Sequence, residues 1–273
     1  MLAALGDGNA FLHSDAGREA GRRVAKLAAV DRTEAGAAAF TGLLERAMRG
    51  SIEIADTEAK AFVDEVYAAM QATLNRTVFN PENTAGARTH KVVRGESLDR
   101  IASIYRKQGI LLDAMTIGLF NRISDPTKLR ADQVLKIPVQ PISTVIEKRS
   151  FLMAMYLGDT IFRLFWVGHG KDDRTPETTF TVTLKQEHPD WHFDGRVIPY
   201  GHPDNILGDY FVKFEHASFQ GYGAHGTPQP ETIGTMASRG CIRMQDNDIR
   251  EFFTVVPRGT PVHVRATLNP GSR

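Results

Sequence analysis

The sequence predicts a multidomain α+β protein with an N-terminal helical segment, a small βααβ module and a mainly-β domain. Apolar residues recur with helical periodicity in the N-terminal segment. In the small module, two extended runs flank two segments with helical apolar periodicity. In the last domain, short β-rich stretches alternate with turn residues. The predicted bounds are residues 1–80 for the helical region, 81–88 for a linker, 89–139 for the module and 143–268 for the last domain. A chain of 273 residues with 42% hydrophobic residues is long enough for such a division.

The N-terminal region is predicted to form a helical hairpin. Apolar side chains recur at three- and four-residue steps within residues 40–47, and Gly50 is placed to end this helix. A second apolar stripe covers residues 62–74, with Asp56 or Thr57 as the expected N-cap. Neither stripe carries a residue with evident chemistry, so we assign the hairpin a packing or spacer role.

The linker is predicted from a polar stretch that holds both Pro and Gly, residues 81–88. Beyond it, an extended run at residues 91–93 leads through a turn at residues 94–97 into a helix. A second helix is expected from an apolar stripe, and a strand-like run at residues 134–137 closes the module. The members of that stripe are Leu112, Met115, Leu119 and Phe120.

The last domain is predicted to be mainly β because short β-rich stretches alternate with Gly and Pro. These stretches are residues 145–147, 152–157, 161–167, 180–184, 210–214 and 262–264. One helix is expected late in this domain, near residues 246–253.

Composition and charge exclude several classes of function. The 33 basic and 32 acidic side chains give a net charge of +1, which offers no positive surface for nucleic acid. The chain has one cysteine, so an intramolecular disulfide and cysteine-rich zinc sites are excluded. No stretch approaches the roughly 18 to 20 consecutive apolar residues of a membrane span. The first basic residue is Arg18, and acidic residues precede it, so the sequence predicts no secretory signal.

Two short motifs in the last domain suggest cysteine chemistry: AHGT at residues 224–227 and SRGCIRM at residues 238–244. A free thiol has a pKa of about 8.5, and it reacts near neutral pH when a nearby imidazole favours the thiolate. A β domain can bring His225 next to Cys241, and Gly240 lets backbone N–H groups and a substrate carbonyl approach the sulfur. Taken alone, a single cysteine is more often a small buried apolar residue.

The residues around this pair resemble the signature of the YkuD-type L,D-transpeptidases. The matching order is HGT at residues 225–227, Ile233-Gly234, and SRGCIRM. Further matches are Gly168 with Thr175-Pro176, Asn205 with Leu207-Gly208, and the GTPV run at residues 259–262. The resemblance covers residues 144–265, and it departs from the family at Arg239, where many members have a second His, and at Thr178, where Gly is usual.

The resemblance implies roles for the matching residues. Cys241 corresponds to the acylated nucleophile, and His225 to the base that accepts its proton. A backbone carbonyl of Gly226 or Thr227 would orient the imidazole, and the backbone N–H groups of Gly240 and Cys241 would bind the oxyanion. Ser238 is expected to support the loop, and the residues expected to bind substrate are Arg239, Arg243 and Tyr222.

The preceding module resembles the LysM domain through VVRGESLDRIASIY at residues 92–105, Asn121, and QVLKIP at residues 133–138. Asp132 stands where that family usually has Gly in the final turn, and Asp tolerates left-handed backbone. LysM domains bind the N-acetylglucosamine-containing glycans of peptidoglycan or chitin in a groove between two loops. The resemblance implies that glycan contacts Gly95, Glu96, Ser97 and the loop that starts at Asn121. A spacer role for the module is the alternative.

An insertion at residues 188–204 contains three His and three Asp, a composition that suggests a metal site. The tight two-His spacing of a metal-binding helix is absent from it. Its aromatic residues Trp191, Phe193 and Tyr200 favour a lid or a wall of the substrate groove instead. Arg243 is expected either to anchor its loop or to meet a substrate carboxylate. We expect no metal and no organic cofactor.

The function implied by the resemblance is transpeptidation of peptidoglycan through a cysteine thioester. It would give 3→3 cross-links, or L,D-carboxypeptidase activity when water is the acceptor. The expected partners are peptidoglycan stem peptides and glycan strands, in the periplasm or the cell wall, and the oligomeric state stays open. Two other functions also stay open: a wall-binding protein without catalysis, and a cysteine endopeptidase or amidase.

Overall fold

The computed structural model describes residues 33–49 and 57–266, together with Glu19, Arg22 and Lys26. The α-helices within the two ranges are α1 (Glu34–Arg49), α2 (Thr57–Leu74), α3 (Leu98–Arg106), α4 (Ala114–Phe120) and α5 (Asp246–Val255). The strands are β1 (Ala87–Lys91), β2 (Val134–Pro138), β3 (Ile142–Glu147), β4 (Leu152–Leu157), β5 (Thr160–Trp166), β6 (His169–Gly170), β7 (Thr179–Glu187), β8 (Trp191–Phe193), β9 (Arg196–Ile198), β10 (Tyr210–Glu215), β11 (Tyr222–His225), β12 (Met236–Ser238), β13 (Ile242–Arg243) and β14 (Pro261–Arg265).

The predicted helical hairpin is confirmed for α1 and α2, which pack against each other and bury Phe40 and Phe62 completely. Their apolar stripes face the core, as the three- and four-residue spacing requires. The expected helix stop at Gly50 and the N-cap at Asp56 or the Thr57 side chain lie outside the described residues. No helix within the described ranges is long and apolar enough to cross a bilayer.

The hairpin is attached to β5 at the edge of the large sheet by two hydrogen bonds. The backbone N–H of Ile161 donates to Thr41 Oγ1 at 3.0 Å. Trp166 Nε1 donates to Asp64 Oδ1 at 2.8 Å. An exposed edge strand presents unpaired backbone groups, so α1 and α2 also protect β5 from pairing with another chain.

The small module has the predicted β-α-α-β order, with β1 and β2 paired antiparallel. Ser97 caps α3 and Asp113 caps α4, each through a side-chain oxygen that accepts from a backbone N–H. Asp132 has a φ of 65°, the left-handed conformation expected at the final turn.

Two local expectations for this module are wrong. β1 starts at Ala87, inside the predicted linker, and ends at Lys91, so the extended run was placed too late. Met115 is 49% exposed, because α4 turns Thr116 and Phe120 toward the core instead. An apolar stripe of four residues does not fix the rotation of a helix of seven residues.

The last domain is built on an eight-stranded mixed sheet of order β13-β11-β10-β7-β14-β3-β4-β5. β14 runs parallel to β3, β13 runs parallel to β11, and the other neighbours are antiparallel. The predicted β-rich stretches and the late helix are confirmed, with shifts at their ends. The two- to four-residue strands β6, β8, β9, β11, β12 and β13 were not predicted, because alternation over so few residues gives no signal.

Three phenylalanines from different parts of the chain meet at one junction. Phe79 follows α2, Phe120 ends α4 and Phe162 lies on β5, and their ring centroids are 5.7 to 6.3 Å apart. The guanidinium of Arg163 lies 4.5 Å from the Phe79 ring centroid and pairs with Glu251 of α5. All three rings are buried, so one apolar core continues through the helical hairpin, the small module and the large sheet.

The chain between α2 and β1 is held in place by a buried lysine of the small module. Lys136 Nζ donates to the carbonyl oxygens of Thr77 at 3.1 Å, Val78 at 2.9 Å and Asn80 at 3.3 Å. Burial of an ammonium group costs free energy unless its N–H groups are hydrogen-bonded, and these three carbonyl oxygens accept those bonds. The segment leading into the predicted linker is therefore packed against the module.

The small module also contacts the large domain directly. Thr116 Oγ1 donates to Val255 O at 3.1 Å, at the end of α5. Lys185 Nζ of β7 pairs with Asp113 Oδ2 at 2.9 Å and donates to Val256 O at 3.0 Å. Because the Lys185 side chain is only 8% exposed, this ion pair is shielded from screening by salt. The two units thus share a partly buried polar interface beside the phenylalanine junction.

Candidate active site

The pairing of β11 with β13 brings the segments of His225 and Cys241 side by side. Ala224 lies opposite Ile242 in this parallel pair, and both side chains are buried in the core. Successive side chains of a strand alternate between faces, so His225 projects from the face opposite to that of Ala224. Cys241 directly precedes Ile242, at the start of β13.

The imidazole of His225 is fixed by its own loop. His225 is 2% exposed, and its Nδ1 lies 2.5 Å from Gly226 O. A carbonyl oxygen only accepts, so Nδ1 carries the proton and Nε2 keeps the lone pair of the neutral ring. The backbone of Ile206 makes a further hydrogen bond to this imidazole. Burial lowers the pKa of His225 to about 4, and the positive charge of Arg243 acts in the same direction. The ring is therefore neutral near pH 7 and able to take up a proton at Nε2.

The Cys241 thiol is half-buried and donates to Gly221 O at 3.3 Å. Burial raises the pKa of Cys241 to about 11, although the backbone N–H of Gly223 and the Arg243 guanidinium oppose the rise. At rest the thiol and the imidazole are therefore both neutral near pH 7.

The loop before Cys241 requires glycine at position 240. Gly240 has a φ of 136°, and a Cβ there would lie 2.8 Å from Tyr222 Cε1 and 3.1 Å from Arg174 O. Ser238 Oγ accepts from Gly240 N–H at 3.0 Å and donates to Cys241 O at 2.6 Å. The expectation that the Gly240 N–H binds an oxyanion is corrected here, because Ser238 already occupies that donor.

Gly226 and Thr227 form the loop that follows His225. A Cβ at Gly226 would lie 2.8 Å from Asp246 Oδ1, so a side chain there would require Asp246 to move. Thr227 Oγ1 is an acceptor for the backbone N–H of Gln229 at 3.1 Å. Of the two carbonyls considered for orienting the imidazole, that of Gly226 makes the contact.

Two expected substrate-binding residues are engaged in the scaffold instead. Arg243 Nη1 donates to Gln229 Oε1 and to Thr232 Oγ1, each at 3.1 Å, so this arginine anchors its loop. The Tyr222 hydroxyl donates to Arg174 O at 3.0 Å. For Arg243 these bonds fit the first of its two expected roles, that of anchoring the loop. The expectation that Tyr222 binds substrate stays a prediction.

Arg239 reaches the insertion whose aromatic residues were expected to form a lid or wall. Its guanidinium lies 4.2 Å from the Phe193 ring centroid, a cation–π distance. Phe193 stacks on Trp191 with centroids 4.8 Å apart, and both belong to the hairpin of β8 and β9. The hairpin thus stands beside the residues that precede Cys241.

The expected glycan-binding residues of the small module have structural partners. Glu96 Oε2 accepts from Val93 N–H at 2.8 Å and contacts His90 Nε2 at 2.9 Å, which closes the turn that contains Gly95. Ser97 caps α3. A separate surface cavity of about 570 Å³ is lined by residues 122–125, 128 and 130–133.

Asn121 does not line that cavity, and its side chain is buried. Its Oδ1 accepts from Lys136 N–H at 2.7 Å, and its Nδ2 donates to Lys136 O at 2.8 Å and to Ile117 O at 2.9 Å. The amide joins α4 to β2, so the expectation that Asn121 contacts glycan is corrected to a role in the fold of the module.

Several residues of the site were not predicted. Gly221 and Gly223 hydrogen-bond the sulfur through backbone groups, and a sequence motif does not reveal such contacts. Thr175 binds Gly240 O at 2.8 Å, and the only signal for it was the Thr-Pro match. In the insertion, His188 packs against Tyr200 with centroids 4.3 Å apart. Among the described residues, no group of three or more His, Cys, Asp or Glu is arranged to hold a metal.

Comparisons with known proteins agree with this arrangement. Residues 142–264 match the YkuD family, described as the L,D-transpeptidase catalytic domain, and residues 90–138 match the LysM domain. A relative from Bacillus subtilis that carries the name L,D-transpeptidase YqjB is 37% identical, over 43% of this chain and 68% of its own length. A Bacillus licheniformis relative that carries the name L,D-transpeptidase YkuD is 28% identical, over 64% of this chain and 97% of its own.

A solved structure of an L,D-transpeptidase from Mycobacterium smegmatis is similar with a TM-score of 0.40 and 19% identity. The match covers 50% of this chain and 64% of that chain, less than two thirds of its length.

The chain belongs to the YkuD family of L,D-transpeptidases. It is an L,D-transpeptidase with a LysM domain ahead of the catalytic domain.

Proposed function

We propose that Cys241 is the nucleophile of this L,D-transpeptidase and that His225 is its general base. The observation that carries the proposal is the imidazole held by Gly226 O at 2.5 Å, in a strand that pairs with the strand directly after Cys241. The match of residues 142–264 to the L,D-transpeptidase catalytic domain supports the same pairing.

Acylation begins when His225 Nε2 takes the thiol proton while the sulfur attacks the donor carbonyl. That carbonyl belongs to the third residue of a stem tetrapeptide and is bonded to the terminal D-Ala. The tetrahedral oxyanion binds the Cys241 N–H. When the C–N bond breaks, protonated His225 gives its proton to the departing D-Ala amine, and a thioester remains on Cys241.

Deacylation uses the same groups in the opposite order. The side-chain amine of another stem's third residue attacks the thioester, and His225 takes a proton from this amine. The C–S bond breaks, the thiol regains its proton, and a 3→3 cross-link forms. Water in place of the amine gives a free carboxylate, which is L,D-carboxypeptidase activity.

The LysM match implies peptidoglycan binding and a cell-wall or periplasmic protein. For the glycan we propose the cavity of residues 122–133 together with the turn at Gly95, where a Cβ would meet nothing within 4 Å. For the substrate groove we propose the β8–β9 hairpin as a wall, since Phe193 contacts Arg239 two residues before Cys241. A flat aromatic surface of this kind packs well against a peptide backbone.

Two other functions give different products from the same substrate. A wall-binding protein without catalysis leaves muropeptides unchanged, and a cysteine endopeptidase or amidase cleaves other bonds. Incubation of the full chain with tetrapeptide muropeptides, followed by mass analysis, distinguishes them. We expect free D-Ala with 3→3 dimers or tripeptides, and no such products from Cys241→Ala. Unchanged muropeptides, or cleavage elsewhere, would contradict the proposal.

A further inference from the structure

The segment that joins β6 to β7 lies beneath the nucleophile loop and holds it through one side chain. Thr175 is 2% exposed, and its hydroxyl donates to Gly240 O at 2.8 Å. The same oxygen accepts from the Gly170 N–H at 2.8 Å. Thr175 therefore links β6 to the peptide group that directly precedes Cys241.

We propose that Thr175 is a positioning residue for acyl transfer, which it serves by setting the direction of the Cys241 N–H toward the oxyanion. This inference rests on the proposed function of Cys241. The described residues contain no cis peptide bond, so the peptide between Gly240 and Cys241 is trans. In a trans peptide the C=O and the N–H point in opposite directions. A bond that holds Gly240 O therefore also fixes the direction of the Cys241 N–H.

The other polar groups of this loop are fixed from a second side. Ser238 Oγ accepts from the Gly240 N–H at 3.0 Å and donates to Cys241 O at 2.6 Å. With Gly240 O held by Thr175, three of the four backbone polar groups of residues 240 and 241 serve the loop itself. The Cys241 N–H is the fourth, and it is the group that catalysis requires.

The residues around Thr175 are themselves held by polar contacts, so the Thr175 hydroxyl has a fixed position. Lys148 is buried and pairs with Asp173, and with Glu177 at 3.6 Å. His169 Nε2 contacts Lys148 O at 3.0 Å. The start of the segment is also tightly packed, since a Cβ at Gly170 would lie 2.7 Å from the backbone nitrogen of Thr175.

Two reactions of Cys241 distinguish a misdirected oxyanion donor from a generally disordered loop. Acylation by a carbapenem opens a lactam ring through a tetrahedral oxyanion, whereas alkylation by iodoacetamide displaces iodide at a saturated carbon and forms no oxyanion. Both reactions need the sulfur to be accessible and deprotonated. Only acylation needs the direction of the Cys241 N–H.

The test uses the full chain with Thr175→Val, which removes the hydroxyl, and Thr175→Ser, which keeps it. Loss of one oxyanion donor costs about 10²- to 10³-fold, so a misdirected donor should slow acylation about 10-fold or more. We expect Thr175→Val to show this loss while iodoacetamide alkylation stays within about twofold of wild type. Thr175→Ser should restore most of the acylation rate, and circular dichroism checks that all three chains are folded.

The possible results point to different conclusions. Unchanged acylation in Thr175→Val overturns the role of Thr175, and so does a parallel fall of both reactions, which signals a disturbed loop. If Thr175→Ser is as slow as Thr175→Val, the hydroxyl is not the active feature, and the inference fails. A wild-type chain that is alkylated at Cys241 but never acylated contradicts the proposed function itself.

Discussion

The Nδ1 atom of His225 lies 2.5 Å from the carbonyl oxygen of Gly226, so this imidazole is oriented by the backbone of the adjacent residue. A main-chain acceptor carries no full charge, and it does not stabilise an imidazolium as a carboxylate would. Burial then keeps the pKa of His225 low, at about 4. The consequence is a base that stays neutral at rest and becomes charged only during proton transfer.

Removal of this base should slow acylation without changing the fold. We expect His225→Ala to lower the carbapenem acylation rate by roughly 10²- to 10⁴-fold, the range for a lost general base. Stopped-flow or timed mass measurement of the adduct gives the rate. The matched control is His216→Ala, because this other histidine of the domain contacts Phe219 and Thr178 and should leave acylation nearly unchanged. Equal rates for His225→Ala and wild type would show that another group accepts the proton.

The raised pKa of the thiol predicts an unusual pH profile for simple alkylation. Because burial raises the pKa of Cys241 to about 11, the thiolate fraction is small at pH 7 and grows with pH. The iodoacetamide rate should therefore keep rising through pH 9 and beyond, past the ordinary thiol pKa of about 8.5. Iodoacetamide rates measured between pH 6 and pH 10 test this expectation. A plateau reached below pH 7 would indicate a thiolate–imidazolium pair at rest.

Glu147 predicts a pH dependence of stability. This carboxyl at the end of β3 is buried, and burial raises its pKa to about 7, while its Oε2 accepts from the Ser150 N–H. The folded chain then binds a proton more tightly than the unfolded chain, whose carboxyl has a pKa near 4.5. The free energy of unfolding therefore decreases as pH rises from about 4.5 to 7, and the loss is complete above that range.

A neutral isostere should remove this penalty. We expect Glu147→Gln to raise the free energy of unfolding at pH 8 by on the order of 1–3 kcal/mol, and to change it little at pH 4. Denaturant unfolding at both pH values measures the difference. Equal effects of the substitution at the two pH values would show that the carboxyl titrates normally.

The phenylalanine junction predicts that the LysM domain and the catalytic domain unfold together. Phe120→Ala opens a cavity where α4 meets Phe79 and Phe162, and it should cost about 3–5 kcal/mol. We expect one thermal transition at a lower temperature, with carbapenem acylation of Cys241 lost at that same temperature. Met115→Ala on the same helix is the control, since that side chain is 49% exposed and its loss should cost less than about 1 kcal/mol. Two separate transitions, with acylation lost only in the second, would show that the domains are independent.

The sequence was informative where chemistry imposes residue types and uninformative where contacts are long-range. Cys241, Gly240 and Ser238 stand in one short motif and His225 in another, and the structure places the two segments side by side. The roles of Arg243 and Asn121 depended on partners that pattern alone could not supply. Both have polar side chains suited to a ligand, yet loop and strand neighbours already satisfy their hydrogen bonds.

The relation between the modules was also beyond the sequence. Asp113 and Lys185 are 72 positions apart, and their pairing depends on how α4 meets β7. A polar stretch with Pro and Gly is typical of a flexible linker, but here the chain before it is held by Lys136 of β2. Short strands such as β11 and β13 become visible only through their pairing, although this pairing brings the segments of His225 and Cys241 side by side.

The proposed mechanism requires that Cys241 carries the acyl group during turnover. The most direct measurement is intact-protein mass spectrometry of the full chain mixed rapidly with a stem tetrapeptide donor, followed by peptide mapping. We expect a transient mass increase equal to the donor minus D-Ala, located on the peptide that contains Cys241 and absent from Cys241→Ala. Release of D-Ala by Cys241→Ala at the wild-type rate, or an adduct on any other residue, would show that Cys241 is not the nucleophile.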